Sequence, residues 1–326
     1  MHGDDKEAST ASVEEEIARI SADEMVDALG LGPAPSWVRG ATRAVFALPS
    51  RPLARGLARF DRRIVEVGLP AAATEALARF GARLSVRWDG PPDAEEPVRA
   101  EAQPARDQAR PPRAGGPLLV VANHPGAYDA MALMAALDRR DLAIIAAERS
   151  FLRALPSLSR HMLFVPADDA GESRAPARAG ALRRAARHLR QGGALLHFPA
   201  GQIEPDPAFQ VDIEEPRPAW QPGTGALVRA TAAAGGRVAV AIVAGVHSVR
   251  AKRLFVTRLA ERRGVTTLAA LIQIALPGFR DVDVRVRVGV ASPAADLARG
   301  AADDTEITAR LRGRAAALED TITRRA

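Results

Sequence analysis

The stretch "VVANHPGAYDAMAL", residues 120–133, passes from an apolar segment through a proline–glycine turn into a helix-forming segment. Residues 118–123 have the length and composition of a buried strand, and residues 127–138 have those of a helix. Pro125 and Gly126 mark the turn between them. A strand, a turn and a helix in this order are typical of an α/β sheet, which places its functional loops at the carboxyl ends of strands.

The same alternation of strand and helix continues along the chain. Strand patterns recur at 142–147, 162–168, 194–201 and 237–245, and helical patterns at 150–161, 175–193 and 223–236. The strictly alternating "DVDVRVRVGV", residues 281–290, predicts a half-exposed strand, and residues 303–323 predict a closing helix. The sequence therefore predicts an α/β fold: a single mixed, mostly parallel sheet flanked by helices, with an N-terminal helical segment.

The predicted domain covers residues 85–326 and is preceded by two segments. Residues 1–34 are a charged leader, and residues 35–84 are an amphipathic helical segment rich in arginine. Within the domain, residues 91–117 are rich in proline, alanine and charge, which predicts a mobile excursion. Two compatible interpretations of residues 35–84 stay open: the helices pack on the domain by their apolar face, and they rest on anionic lipid. The apolar stripe in question is Leu53, Leu57, Phe60, Ile64 and Val67.

The composition excludes several classes of protein. The 326 residues include no cysteine, so disulfides, thiolate catalysis and cysteine metal sites are excluded. A formal net charge of +6 favours anionic partners, such as nucleic acid, membrane lipid or a phosphorylated substrate. Aromatic residues make up only 4% of the chain and no nucleic-acid-binding motif is present, so we expect no nucleic acid partner. No apolar run approaches the roughly 18 residues that a spanning helix needs.

His124 and Asp129 are candidates for a catalytic pair. Because a helix turns by about 100° per residue, they can meet only if His124 precedes the helix and Asp129 lies in its first turn. A histidine placed there can remove a proton from an incoming hydroxyl, and a buried carboxylate would fix its tautomer and stabilise the imidazolium. The alternative is that Asp129 caps the helix and His124 is an unrelated polar residue.

A second segment, "GGALLHFPAGQIEPD" at residues 192–206, repeats the design of a buried strand followed by proline and glycine. The two segments together resemble the N-H-x-x-x-x-D and F-P-E-G motifs of the glycerolipid acyltransferase superfamily, which includes the bacterial lysophosphatidic acid acyltransferases. Their order, spacing and flanking patterns agree with that superfamily over residues 85–295. The resemblance implies a glycerolphosphate acyltransferase-like fold.

The resemblance also implies an activity and a site. An acyl group would move from acyl-CoA or acyl-carrier protein to a hydroxyl of a lipid or lipid precursor, with no metal and no cofactor besides this co-substrate. His124 would be the general base and Asp129 its orienting partner. The residues implied in holding the acceptor are Asn123, Phe198, Pro199, Ala200, Gly201 and Gln202.

Three departures from the family pattern concern the acceptor. The usual glutamate is replaced by Ala200, and the following threonine and arginine by Gln202 and Ile203. The arginine common in the strand between the two motifs is also missing, and Arg174 is the nearest basic residue after that strand. Two interpretations stay open: the acceptor has no phosphate monoester, or Arg174, Arg178 or another arginine replaces the missing contact.

We therefore expect an O-acyltransferase of lipid biosynthesis. Its expected partners are acyl-CoA or acyl-carrier protein, a lipid acceptor and the surface of an anionic membrane. We expect it in the cytoplasm, peripheral on the inner face of the cell membrane. The alternative is a lipid-binding or scaffolding protein that kept the fold and lost the chemistry.

Overall fold

The computed structural model describes residues 18, 20, 35–89, 116–166, 175–209, 218–262, 268–280 and 282–323. Most of the predicted leader, residues 91–115 of the predicted excursion, and Arg174 lie outside this described part. The chain divides into two compact units. The first comprises Met1–Arg83, Arg149–Arg160 and His247–Val282, and the second comprises Leu84–Glu148, His161–Val246 and Asp283–Ala326.

Within the described residues, eight strands form a single sheet, most of which lies in the second unit. In chain order the strands are β1 Ala82–Trp88, β2 Leu118–Ala122, β3 Leu142–Ala147, β4 Met162–Val165, β5 Ala194–His197, β6 Arg237–Ala244, β7 Val282–Val288 and β8 Ser292–Pro293. Their spatial order is β1-β7-β6-β2-β5-β3-β4, and β8 pairs with β6.

The pairing directions make the sheet mixed and mostly parallel. Strand β2 pairs in parallel with β5 and β6, and β3 pairs in parallel with β4 and β5. Strands β7 and β8 pair antiparallel with β6. With helices flanking the sheet, this architecture confirms the predicted fold class.

The helices of the described ranges complete both units. In chain order they are α1 Ser36–Val67, α2 Leu69–Arg79, α3 Asp129–Leu137, α4 Ser150–Arg153, α5 Pro156–Ser159, α6 Ala175–Arg190, α7 Gly223–Ala233, α8 Val249–Arg253, α9 Phe255–Arg262, α10 Leu268–Ala275, α11 Ala294–Ala298 and α12 Asp304–Thr323. Short 3₁₀ turns lie at Pro207–Phe209 and Pro277–Phe279. Within these ranges no helix is both long and apolar enough to cross a membrane.

The burial of the strands follows their sequence patterns. All five residues of β2 are buried, as expected for an interior strand of a parallel sheet, whose two faces are both covered. Strand β7 buries every second residue, so the alternation in "VDVRVRV" corresponds to one covered face. The core of the second unit joins Leu119 and Val240 of the sheet to Leu189, Leu227 and Leu311 of the helices.

The first unit uses the apolar stripe of α1 for internal packing. Phe60 and Ile64 are buried, and α1 packs on α2, α5 and α10. The buried Asp61 carboxylate of α1 accepts the backbone N–H groups of Ser157 and Leu158, at 3.2 and 2.8 Å, at the start of α5. These apolar contacts of α1 lie within the first unit.

Candidate active site

The turn between β2 and α3 carries His124. Gly126 and Ala127 both adopt positive φ, 87° and 51°, so two consecutive residues are left-handed. For the alanine this conformation costs roughly 1–2 kcal/mol, a strain that is found most often at functional sites. The reversal leads directly into α3, whose first residue is Asp129.

The structure brings His124 and Asp129 into contact. His124 Nδ1 lies 2.7 Å from Asp129 Oδ2, and the Asp129 side chain is only 2% exposed. The same carboxylate accepts the backbone N–H groups of Gly126 and Ala130. With Nδ1 held by the carboxylate, Nε2 is the ring nitrogen placed to accept a proton from a substrate.

Helix capping alone does not explain the position of Asp129. A capping side chain accepts the N–H of the second or third helical residue. Here the residue before the helix is Tyr128, which makes no side-chain capping bond, and Asp129 is already the first helical residue. Its carboxylate accepts the N–H of Ala130 in the first helical turn, and it also bonds the N–H of Gly126 and the imidazole of His124.

The charges around His124 raise its pKa. Burial of the ring acts in the opposite direction and is the largest single influence on the pKa. The charge and hydrogen bond of Asp129, together with the charge of Glu204, outweigh it, so the pKa of His124 lies above its ordinary value. The surrounding carboxylates therefore stabilise the imidazolium that proton removal from a hydroxyl would create.

Glu204 is a site residue that the sequence analysis missed. Its carboxylate accepts the backbone N–H of His124 at 2.8 Å, and its own backbone N–H donates to the carbonyl of His124 at 2.8 Å. The second carboxylate oxygen accepts the indole N–H of Trp220 at 3.2 Å. Burial raises the pKa of Glu204, and the hydrogen bonds from Trp220 and His124 oppose that rise. Glu204 thus fixes the backbone on both sides of the candidate base.

Asn123 secures the strand that leads into the site. Its side-chain amide donates to the carbonyl of Val243 at 2.9 Å, and its amide oxygen accepts the N–H of Val243 at 2.7 Å. Both polar ends of this buried side chain therefore bond to β6. This bridging role differs from the acceptor contact that the sequence predicted for Asn123.

Residues 100–247, which contain the His124–Asp129 pair and Glu204, match the family model described as acyltransferase. This match agrees with the resemblance that the two sequence motifs carry. The fold is also similar to a crystal structure of the 1-acyl-sn-glycerophosphate (LPA) acyltransferase PlsC from Thermotoga maritima, with a TM-score of 0.44, 16% sequence identity and 82% of each chain covered. No curated protein matches the chain.

The second sequence motif, "FPAG", lies beside the first. The ring of Phe198 stacks on the His124 imidazole with centroids 4.5 Å apart and planes 29° apart. Pro199 and Ala200 are buried, and the N–H of Gly201 closes a turn onto the carbonyl of Phe198 at 3.2 Å. Phe198 therefore contacts the candidate base itself, and Ala200 lies in the core of the unit.

The exposed part of the second motif carries no charge. Gly201, Gln202 and Ile203 are exposed, and Ile203, at 45% exposure, lies against the turn at Gly126. Arg174, the predicted acceptor contact, lies outside the described residues, and Arg178 is an exposed residue of α6. The surface next to His124 is thus apolar and amide-bearing where the family pattern has threonine and arginine.

A second histidine, His197, differs from His124 in its environment. It ends β5, and its Nε2 lies 3.0 Å from the hydroxyl oxygen of Thr224. Burial lowers the pKa of His197 to about 4, so this imidazole is neutral at physiological pH. Among the described residues, no group of three or more histidine, aspartate or glutamate side chains is placed to hold a metal ion.

Proposed function

We propose that the protein is an O-acyltransferase that moves a fatty acyl group from acyl-CoA or acyl-carrier protein to a hydroxyl of a lysolipid or lipid precursor. The observation that carries this proposal is the 2.7 Å contact between His124 and Asp129 at the carboxyl end of β2. It lies within residues that match the acyltransferase family. The assembled pair favours this function over a lipid-binding scaffold that has lost its chemistry.

The proposed reaction uses a single base. His124 Nε2 removes the proton of the acceptor hydroxyl as its oxygen attacks the thioester carbonyl. Asp129 holds the ring and stabilises the imidazolium that forms. When the tetrahedral intermediate collapses, the carbon–sulfur bond breaks, and the imidazolium returns its proton to the departing thiolate. The products are an ester and a free thiol, and His124 is again neutral.

The acceptor in this proposal has no phosphate monoester. Recognition of such a group needs guanidinium or ammonium donors. Ile203 occupies the place of the family arginine and exposes an apolar side chain beside the turn that carries His124. We therefore propose a lysolipid with a zwitterionic or amide-linked headgroup as the acceptor. The enzyme would work peripherally on the inner face of the cell membrane.

A substrate panel tests the reaction and the acceptor separately. The full-length protein is incubated with a long-chain acyl donor, either acyl-CoA or acylated acyl-carrier protein, and one acceptor. The acceptors are lysophosphatidic acid, glycerol 3-phosphate, lysophosphatidylcholine and a lyso-ornithine lipid, and the released thiol and new lipid are measured. We expect acylation of a lysolipid without a phosphate monoester. Preference for lysophosphatidic acid would contradict the proposed acceptor but not the reaction, whereas no acylation from acyl-CoA or acyl-carrier protein would favour the scaffold.

Replacing Ile203 by arginine tests which side chain selects the acceptor. The Ile203→Arg variant restores a guanidinium at an exposed position beside the site. We expect kcat/KM for lysophosphatidic acid to rise about tenfold relative to that for the wild-type acceptor, since one charge-assisted hydrogen bond contributes roughly 1.5–3 kcal/mol. Ile203→Gln, which adds a polar group without charge, is the matched control. An unchanged ratio in both variants would show that position 203 does not select the headgroup.

A further inference from the structure

Helix α9, Phe255–Arg262, presents its large apolar side chains to solvent. Phe255 is 78% exposed, Val256 is 55% exposed and Leu259 is 38% exposed, while Thr257 is fully buried. A surface helix of a soluble protein normally shows the opposite arrangement, with its apolar stripe inward. Packing within the first unit therefore does not explain why α9 carries these three exposed apolar side chains.

Helical geometry places the three exposed side chains on one face. At about 100° per residue, Phe255, Leu259 and Val256 fall within an arc of roughly 100°, and Thr257 points away from that arc. Val249 of the adjacent helix α8 is exposed as well, at 47%. Apolar side chains grouped in this way on a surface mark a site of interaction.

The charge around this face indicates the kind of partner. Residues 247–262 contain five lysine or arginine residues and one acidic residue, Glu261. Of these, Arg253 ends α8, two residues before the start of α9, and Arg258 lies on α9, and both are exposed. An apolar face bordered by arginines matches the boundary between acyl chains and anionic headgroups of a lipid bilayer.

We propose that α9 docks on an anionic membrane, with Phe255, Val256 and Leu259 inserted among the acyl chains and Arg253 and Arg258 at the headgroups. The apolar stripe of α1 is unsuited to this role because Phe60 and Ile64 are buried. Membrane binding by α9 does not require catalytic activity. It rests on the proposed function only for its purpose, which is to bring the enzyme to a lipid acceptor.

Vesicle binding by the full-length protein tests the proposal. The Phe255→Ser/Leu259→Ser double variant is compared with wild type for cosedimentation with vesicles of phosphatidylglycerol and phosphatidylcholine, and of phosphatidylcholine alone. We expect the double variant to bind the anionic vesicles at least about tenfold more weakly, because membrane affinity scales with buried apolar area. Val290→Ser, which removes an exposed apolar side chain of the second unit, is the matched control and should bind as wild type does.

A charge variant provides a second test that does not depend on the apolar face. Arg253→Glu/Arg258→Glu should weaken binding to anionic vesicles by about 25-fold or more, since each basic residue near such a surface contributes roughly 1 kcal/mol. Its binding to phosphatidylcholine alone should change little. Wild-type affinity of both double variants for anionic vesicles, or no vesicle binding by the wild type, would overturn the proposal.

Two further measurements separate the remaining outcomes. If a second copy of the chain covers this face, sedimentation will show that the wild type is a dimer and the Phe255→Ser/Leu259→Ser variant a monomer, with unchanged vesicle binding. That result would also overturn the proposal. The His124→Ala variant should bind vesicles as wild type does, so failure of the proposed reaction and failure of membrane docking are distinguishable.

Discussion

At the scale of single residues, the carboxylates of Asp129 and Glu204 both form hydrogen bonds with His124. Asp129 bonds the ring at Nδ1, and Glu204 bonds the backbone N–H of the same residue. Both carboxylates raise the pKa of His124, Asp129 more strongly than Glu204. Only the neutral imidazole can accept a proton, so activity should increase as the pH rises through the raised pKa of His124.

Asp129→Asn should therefore change the pH profile as well as the rate. Without the carboxylate the pKa of His124 falls, and the acidic limb of kcat/KM moves to lower pH. The maximal rate should fall by roughly 10²–10⁴, because an amide cannot hold the required tautomer or stabilise the imidazolium. Glu204→Gln, which removes the weaker charge, should move the limb in the same direction by less. Thermal unfolding is the control: if Asp129→Asn chiefly unfolds the protein, the carboxylate is structural.

The sequence allowed His124 and Asp129 to be singled out because they are five residues apart and belong to a local motif. Glu204 lies 80 residues from His124 along the chain, and its partner Trp220 lies 16 residues further on. No spacing rule connects such positions, since the contact depends on how the end of β5 lies beside the end of β2. The acidic residue following "FPAG" was the one signal that could have drawn attention to it.

At the scale of elements, the turn between β2 and α3 sets the position of the pair. Gly126→Ala would place a Cβ 3.1 Å from Ile203 Cδ1 on a residue whose φ is +87°. The backbone must shift, so we expect kcat/KM to fall by about 10- to 100-fold, since a displacement of about 1 Å can cost that much. Gly192→Ala is the matched control, because its φ is +86° and its Cβ would meet nothing within 4 Å.

Both glycine variants should lose stability to a similar extent, roughly 1–2 kcal/mol, from the left-handed backbone alone. Only Gly126→Ala should lose activity per folded molecule, as measured by kcat/KM alongside urea unfolding. Equal activity of the two variants would show that the turn does not position the catalytic pair.

Predictability also differs between elements. Continuous apolar runs form the interior strands β2, β3 and β6, so the sequence predicted where these strands lie. Helices α8 and α9, of five and eight residues, were not predicted. Both helices are short. The apolar residues of α9 are exposed, so their spacing does not follow the usual pattern of a helix with a buried apolar face.

At the scale of the whole molecule, the chain forms two compact units that are interleaved along the sequence. The first unit collects the N-terminal helices, Arg149–Arg160 and His247–Val282, and the second contains the sheet ends that carry the site. Reading the chain in order predicted a boundary near residue 85 and could not predict the later segments of the first unit. Their association depends on contacts between distant residues, such as Asp61 with Leu158, which no local pattern reports.

The central claim is that His124 is the base of an acyl transfer, and one rate comparison tests it most directly. Acyl transfer from acyl-CoA to the preferred lysolipid is measured for wild type, His124→Ala and His188→Ala, with each variant shown to be folded by thermal unfolding. His188 lies on α6 and contacts the carbonyl groups of Asp141 and Ala194, so its loss is a control for removing a histidine. We predict that His124→Ala lowers kcat by at least roughly 10²–10⁴ while His188→Ala leaves it near the wild-type value. Near-normal turnover of folded His124→Ala would contradict the mechanism.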